Sequence, residues 1–377
     1  MYNLENIEKK MNDLINYKGL YKLFNQKILS EELHFIKELE KISQELNLDQ
    51  HVAILSSGTT SSTIKGYIFT KAALLENAKA VNSHLQLNPE SDLWGVSLPT
   101  SHLSGASIML RSYCLNKKII DCGKWQPEKW VKLIQENAVT VTSLVPSQLY
   151  DLIKNQMPPP QGLKKCIIGG DFLAEHLYQE SIKLHWPILR TYGMTEAGPQ
   201  IATENALGSG LKILPIHQCK TNEQNLLSIK SPSLFLWEFQ YDLKTGLQLK
   251  SIASQCDKLG FYQTKDLVNL DPSNSSLEFL GRNDSVVKSS GRLIYLSELK
   301  NIVEKFAIEN SLYKKIELTL EKDEKKSYKL VISMEENIGE VRIQKSLCDL
   351  LKPHQVDLWK VLPSIPRTDL GKMRTRP

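Results

Sequence analysis

Apolar residues recur every three or four positions along EELHFIKELEKISQEL, residues 31–46. There Leu33, Ile36, Leu39, Ile42 and Leu46 predict an amphipathic helix. A short unbroken apolar run over 52–55 predicts a buried strand. The chain then turns polar, with seven hydroxyl side chains between Ser56 and Thr63, one glycine, and Lys65 just after them. Thr70 is placed to cap a helix whose apolar face is Leu74, Ala78, Val81 and Leu85. Strand-like and helical patterns alternate from there. LWGVSLP precedes a helix near 105–114, VTVTSLVP follows one at 127–137, and KKCIIGG precedes one near 173–184. Such alternation predicts α/β layers around a largely parallel sheet.

The texture changes after about residue 210. LLSIKSPSLFLWEF and GLQLKSIASQ read as strands with fewer helices between them, and LDPSNSS (270–276) as a turn. A helix resumes over 297–308, followed by two strands around the charged turn EKDEKK, a helix at 340–351 and a strand at 355–361. These patterns predict a large N-terminal domain over 1–280, a boundary at 281–285, and a small α+β domain over 286–377.

Composition narrows the classes. The 377 residues are 41% hydrophobic and 24% charged, which supports a buried core. The 47 basic and 42 acidic residues leave +5, too little for a nucleic-acid partner but suited to an anionic small molecule. The start MYNLENIEKKMND lacks a signal-peptide pattern, and no apolar run is long enough to span a bilayer. Six scattered cysteines without a CxxC pair read as reduced thiols of a cytoplasmic protein. The sequence offers no metal-ligand cluster and no internal repeat.

The Ser/Thr run is the first candidate for chemistry. A Walker loop needs Gly, four residues, then Gly-Lys-Ser/Thr. Counting from Gly58 reaches Thr63 where that glycine belongs, and Lys65 is followed by Gly66, so this is not a Walker loop. Taken alone it reads as a solvated loop. Four more stretches stand downstream: RTYGMTEAGPQIAT (190–203), GFYQTKDL (260–267), GRNDSVVKSSGRLIYLSEL (281–299) and IPRTDLGKMR (365–374). Each alone reads as a turn, a strand end, an interdomain linker or a basic tail.

In this order, from residue 50 to 377, the five stretches resemble the adenylate-forming superfamily of acyl-CoA synthetases and nonribosomal adenylation domains. The family pattern is a Ser/Thr/Gly-rich loop with a lysine, Tyr-Gly-x-Thr-Glu, Thr-Gly-Asp-Leu, Gly-Arg-x-Asp and a late Gly-Lys. The resemblance implies a large layered α/β domain and a small mobile α+β domain joined at a hinge. Family members carry well over a hundred residues before the phosphate loop, whereas about fifty stand here, so the large domain is expected to be truncated at its front. Apolar surface left bare there would be expected to bind something, a second copy of the chain among the candidates.

Residue roles follow from the same resemblance. Ser57, Gly58, Thr59, Thr60 and Lys65 are implied to hold the β- and γ-phosphates of ATP. Tyr192 and Gly193 are implied at the adenine, beside Gly169, Gly170 and Asp171. Thr195 is implied on the α-phosphate and Glu196 on Mg²⁺, which prefers oxygen ligands. Asp266 is implied to accept the ribose hydroxyls with Arg282 assisting, and Lys372 to sit between the attacking carboxylate and the α-phosphate. Asp284 falls at the hinge, and Gly291 at the tunnel for the thiol of CoA. The loop departs from the family pattern: Ser61 replaces a glycine, a proline is absent, and one extra residue stands before Lys65. In GFYQTKDL, Lys265 replaces the glycine before the aspartate.

LPTSHLSG (98–105) and GMTEAGPQIAT are similar to stretches of bacterial o-succinylbenzoate–CoA ligases of menaquinone biosynthesis. That likeness puts His102 and Gln200 near the acyl pocket and makes o-succinylbenzoate the leading acid. The residues themselves leave other readings open: a hydrogen-bonded core histidine, a polar turn glutamine, another aryl or short acyl acid, a carrier-protein thiol, or a non-catalytic nucleotide-binding relative.

Overall fold

The computed structural model describes residues 4–56, 63–283, 286–289, 292–323, 327–352 and 354–367. Among them, five parallel strands lie side by side in the order Ile188–Tyr192, Lys165–Ile168, Val141–Leu144, Trp94–Val96 and Ile120–Asp121. Helices Leu103–Cys114, Pro127–Glu136, Pro146–Lys154 and Glu175–Lys183 make the crossovers between them. Parallel pairing requires such crossovers, and they cover both faces of the sheet. Alternate residues accordingly enter two different cores: Ile167 and Leu189 go to one, Cys166, Ile168 and Ile188 to the other.

The sheet turns antiparallel at Tyr192. Ala202–Thr203 pairs back on Ile188–Tyr192, and Leu211–Ile213, Ser276–Arg282, Tyr262–Asp271, Leu226–Lys230 and Gln218–Thr221 extend the sheet outward. A second sheet runs Leu20–Leu23, His51–Leu55, Thr63–Thr70, Trp237–Asp242, Gly246–Ser251. The Ser/Thr run therefore joins two antiparallel neighbours, His51–Leu55 and Thr63–Thr70. Gly66 is dictated by packing in this sheet. A Cβ there would stand 2.2 Å from the Ile54 carbonyl oxygen and 2.4 Å from the Phe239 ring.

Helix Leu33–Glu45 packs on this sheet through Phe35 and Leu39, against Ile64, Ile68 and Phe239. Its inward face is thus narrower than the periodicity predicts, since Leu33 is 59% exposed and Leu46 is exposed as well. Each i+3 step falls about 60° short of a full turn, so a series built on that step winds around the helix. Helix Lys71–His84 starts as its sequence predicts, with the Thr70 hydroxyl accepting from the Ala73 N–H and Leu74, Ala78 and Val81 buried. Helix Pro146–Lys154 has no counterpart in the sequence reading. It follows its strand through a single residue, Val145, with proline at its first position.

Toward the C-terminus, the strands Ile316–Asp323, Ser327–Glu335 and Leu358–Leu362 with helices Leu296–Glu309 and Glu340–Leu350 enclose a core of their own. It meets the preceding residues at Tyr313, whose ring lies tilted by 32° against Tyr150 with centroids 4.0 Å apart, and at Asn301, whose Oδ1 accepts from the Glu175 N–H. Beside that tyrosine pair Asp171, Lys300, Glu304, Lys314, Glu317 and Arg367 line a small cavity. Among the described residues, no helix is long and apolar enough to cross a membrane.

Candidate active site

Polypeptide leaving the carboxyl ends of neighbouring parallel strands gathers at one edge of the sheet, where ligands bind in open α/β folds. Here that edge carries His102 after Trp94–Val96, Gly169–Asp171 after Lys165–Ile168, and Gly193, Thr195 and Glu196 after Ile188–Tyr192. Tyr192 ends its strand buried, and its hydroxyl donates to Asp266 Oδ2 at 2.6 Å. Its ring stacks on Phe279 at 5.2 Å between centroids. Burial and the Asp266 charge raise the phenol well above its ordinary pKa of 10, so it remains a proton donor.

Asp266 and Arg282 are direct cross-strand partners on Tyr262–Asp271 and Ser276–Arg282, with Arg282 Nη1 3.6 Å from Asp266 Oδ1. The Asp266 side chain is 8% exposed and that of Arg282 is 49% exposed, so the pair reaches from the sheet to the surface. The Asp266 N–H donates to Thr264 Oγ1, whose own proton goes to the Leu227 carbonyl. Hydroxyl chemistry at 264 thus survives the Gly-to-Lys265 departure, and Lys265 lies on the outer, exposed face of the strand.

Gly193 opens the turn after Tyr192 because nothing larger fits: a Cβ would lie 1.8 Å from the Pro199 carbonyl oxygen. The chain then forms a short 3-10 turn, Thr195–Ala197, with Thr195 and Glu196 half-buried. The Glu196 carboxylate accepts from the Tyr67 hydroxyl at 2.8 Å, and its carbonyl accepts from the Phe235 N–H at 3.0 Å. Among the described residues no group of three or more His, Cys, Asp or Glu could hold a metal. One half-buried carboxylate beside a hydroxyl fits Mg²⁺, which commonly takes one or two protein carboxylates and completes its shell with phosphate and water oxygens.

Strand register puts Lys65 on the site side. Ile64 and Ile68 enter the core under helix Leu33–Glu45, whereas Tyr67 and Phe69 enter the main core. Lys65 shares the parity of Tyr67, two residues before it, and is exposed.

The acyl-side expectations resolve differently from one another. His102 is half-buried at the N-terminus of helix Leu103–Cys114. Gln200 is buried and its amide is engaged by the protein: Oε1 accepts from Arg111 Nη2 at 2.9 Å and Nε2 donates to Thr203 Oγ1. Arg111 is itself enclosed, lies 5.2 Å from the Trp94 ring centre, and is pushed down to about 9 by burial. Gly169 lies against Thr191, the residue before Tyr192, while Asp171 turns to the junction cavity beside Glu304. Ser57, Gly58, Thr59, Thr60, Asp284, Gly291 and Lys372 lie outside the described residues. Tyr67, Phe279 and Arg111 are the site neighbours that the sequence reading missed. Period-two alternation from Lys65 was the available signal for Tyr67.

Comparison with known proteins bears on the family and the fold. Residues 12–222 match the family described as AMP-binding enzyme. The 2-succinylbenzoate–CoA ligase of Bacillus cereus is 25% identical, over 73% of this chain and 58% of that protein. The corresponding Bacillus mycoides ligase is 25% identical, over 70% and 56%. This chain thus spans less than three fifths of the length of these curated relatives. Among solved structures, o-succinylbenzoate coenzyme A synthetase from Bacillus subtilis in complex with ATP and magnesium ion superposes with a TM-score of 0.68. It is 21% identical, over 85% of this chain and 68% of that one. ATP-bound MatB from Rhodopseudomonas palustris gives 0.67 at 18% identity, over 85% and 66%. The chain shares their fold.

Proposed function

The chain belongs to the AMP-binding enzyme family, and from that premise we propose that it is an ATP-dependent acid–thiol ligase. A substrate carboxylate, that of o-succinylbenzoate first among candidates, attacks the α-phosphorus of ATP and pyrophosphate leaves. The thiol of CoA then attacks the acyl-adenylate, giving a thioester and AMP. The observation that carries this reading is the convergence of Tyr192, Asp266 and Arg282, three separate sequence motifs, into one hydrogen-bonded and charge-paired unit at the sheet edge. The choice of acid rests on the ligase relatives, which are named for 2-succinylbenzoate.

In this reading Asp266 and Arg282 hold the ribose, Tyr192 lines the adenine site and Thr195 donates to the α-phosphate. Lys65 with Ser57, Gly58, Thr59 and Thr60 cradles the outer phosphates, a task suited to hydroxyls, backbone N–H groups and one cation. Glu196 would hold Mg²⁺, which when bound neutralises phosphate charge. Lys372 serves the adenylation step, and the unit from 286 to 377 pivots at Asp284 to bring Gly291 to the thiol path. Little covalent work falls to side chains, so positioning and charge carry the chemistry.

Pyrophosphate exchange and hydroxamate trapping with the purified chain, over a panel of acids, test the proposal. Exchange that depends on an acid, strongest with o-succinylbenzoate, is expected. Exchange strongest with another acid would move the substrate assignment, and none with any acid would overturn the ligase reading.

A further inference from the structure

Glu196 is held from two directions by residues far away in sequence. The Tyr67 hydroxyl donates to Glu196 Oε1 at 2.8 Å across 129 residues. The Tyr67 ring rests on Phe235, with centroids 4.9 Å apart and planes at 54°. Phe235 closes the circle, since its N–H donates to the Glu196 carbonyl at 3.0 Å. Phe235 is in turn set edge-on against Tyr262 at 5.3 Å, and the Ser233 hydroxyl donates to the Ala197 carbonyl at 2.6 Å. The short turn bearing Glu196 is therefore bound on both its side-chain and its main-chain groups.

Tyr67 can do little else in this place. It is 9% exposed and sits opposite Glu238 in the antiparallel pairing of Thr63–Thr70 with Trp237–Asp242. Its hydroxyl is engaged as a donor to the Glu196 carboxylate. Tyr67 also stands two residues after Lys65 on the same strand face. One strand thus carries both the phosphate-side lysine and the group that orients the carboxylate.

We propose that Tyr67 is a positioning residue for Glu196, engaging one carboxylate oxygen so that the other is presented to a divalent cation accompanying the nucleotide. The proposal rests on the ligase reading above. Carboxylates that bind metals are commonly oriented by a hydrogen bond to the oxygen the metal does not use, and loss of such a partner weakens metal binding.

Tyr67→Phe keeps the ring and removes the donor. Mn²⁺ binding to the full chain with a non-hydrolysable ATP analogue, followed by electron paramagnetic resonance, reads the metal directly. Tyr67→Phe is expected to weaken Mn²⁺ by about tenfold, while metal-free binding of the analogue stays within about twofold of the unsubstituted chain. In the Glu196→Gln background the same substitution should add no more than about twofold, because its target is gone. Unchanged Mn²⁺ affinity in Tyr67→Phe, even with a lower melting temperature, would make the bond purely structural and overturn the inference. An undiminished tenfold loss in the Glu196→Gln background would overturn it too. Failure of the unsubstituted chain to bind the nucleotide–metal pair would remove the ligase reading beneath it.

Discussion

Tyr192 donates to Asp266 across 74 residues of chain and Tyr67 donates to Glu196 across 129, yet the two carboxylates live in different surroundings. Asp266 is almost fully covered and faces the Arg282 guanidinium across two hydrogen-bonded strands. Glu196 is half-buried on a short turn, with a neutral phenol as its side-chain partner. The difference is one of charge. A carboxylate beside a fixed cation keeps acceptor oxygens for neutral hydroxyls, such as those of a ribose. A carboxylate answered by an uncharged donor keeps its negative charge for a cation from outside the protein. The same tyrosine–carboxylate contact, placed in two electrostatic settings, suits two tasks.

The largest effect that could break this contrast is expected at Asp266. On the proposed ligase reading, Asp266→Ala removes acceptors for two ribose hydroxyls, at about 1.5 kcal/mol each, so kcat/KM for ATP should fall roughly a hundredfold. It also leaves the buried Tyr192 hydroxyl without its acceptor, at about 1–3 kcal/mol of stability in urea unfolding. A loss below tenfold would detach Asp266 from ribose recognition. Next comes Lys65→Ala, which on the same reading removes one cation from the phosphates and should raise the ATP requirement about tenfold. That effect should diminish in high salt, and an unchanged requirement would mean that Lys65 does not reach phosphate.

Smaller still is Tyr192→Phe, which keeps the stack on Phe279. It should cost about 1 kcal/mol of stability and change the half-saturating ATP concentration by no more than about threefold. A larger loss would mean that the hydroxyl itself meets the nucleotide.

Glu304 sharpens the comparison as a third carboxyl, one whose buried Oε2 has no hydrogen-bond partner among the described residues. Burial first, then the Glu317 charge, push it from an ordinary 4.5 up to about 8. The native state therefore binds the proton more tightly than the unfolded chain does. Stability should fall as pH rises from about 4.5 toward 8 and level off above it. Melting temperatures across that window should decline less steeply in Glu304→Gln than in the unsubstituted chain, and equal slopes would refute the assignment.

Much of the fold was legible because local patterns and global packing agree. The capped helix after Thr70, the strand–helix alternation to residue 192 and the antiparallel pair Ile316–Asp323 and Ser327–Glu335 all announced themselves by period and by cap. The helix at Pro146–Lys154 did not, because at nine residues it directly follows a strand and blurs the change of period. The predicted strand in LLSIKSPSLFLWEF is two strands in two sheets: Leu226–Lys230 joins the large one and Trp237–Asp242 the smaller. Nothing local marks such a switch, since strand propensity is indifferent to the partner. At the site, motif order identified Tyr192, Thr195, Glu196, Asp266 and Arg282 as candidates. Their contacts with Tyr67, Phe235 and Phe279 lay beyond its reach.

What the sequence determined by itself is the set of groups that can do chemistry here and their order along the chain. Residue type fixes donor, acceptor and charge, and period fixes which face of an element each occupies. Only the tertiary structure decided which groups meet. Tyr67 reaches Glu196 because its strand in the second sheet lies against the turn after Ile188–Tyr192, and Asp266 meets Arg282 because two strands pair in one register of several available. Gln200 turns away from the surface to Arg111, a contact spanning 89 residues. Such contacts depend on how sheets pack, and packing is set by the shape complementarity of many buried side chains together rather than by any short stretch of sequence.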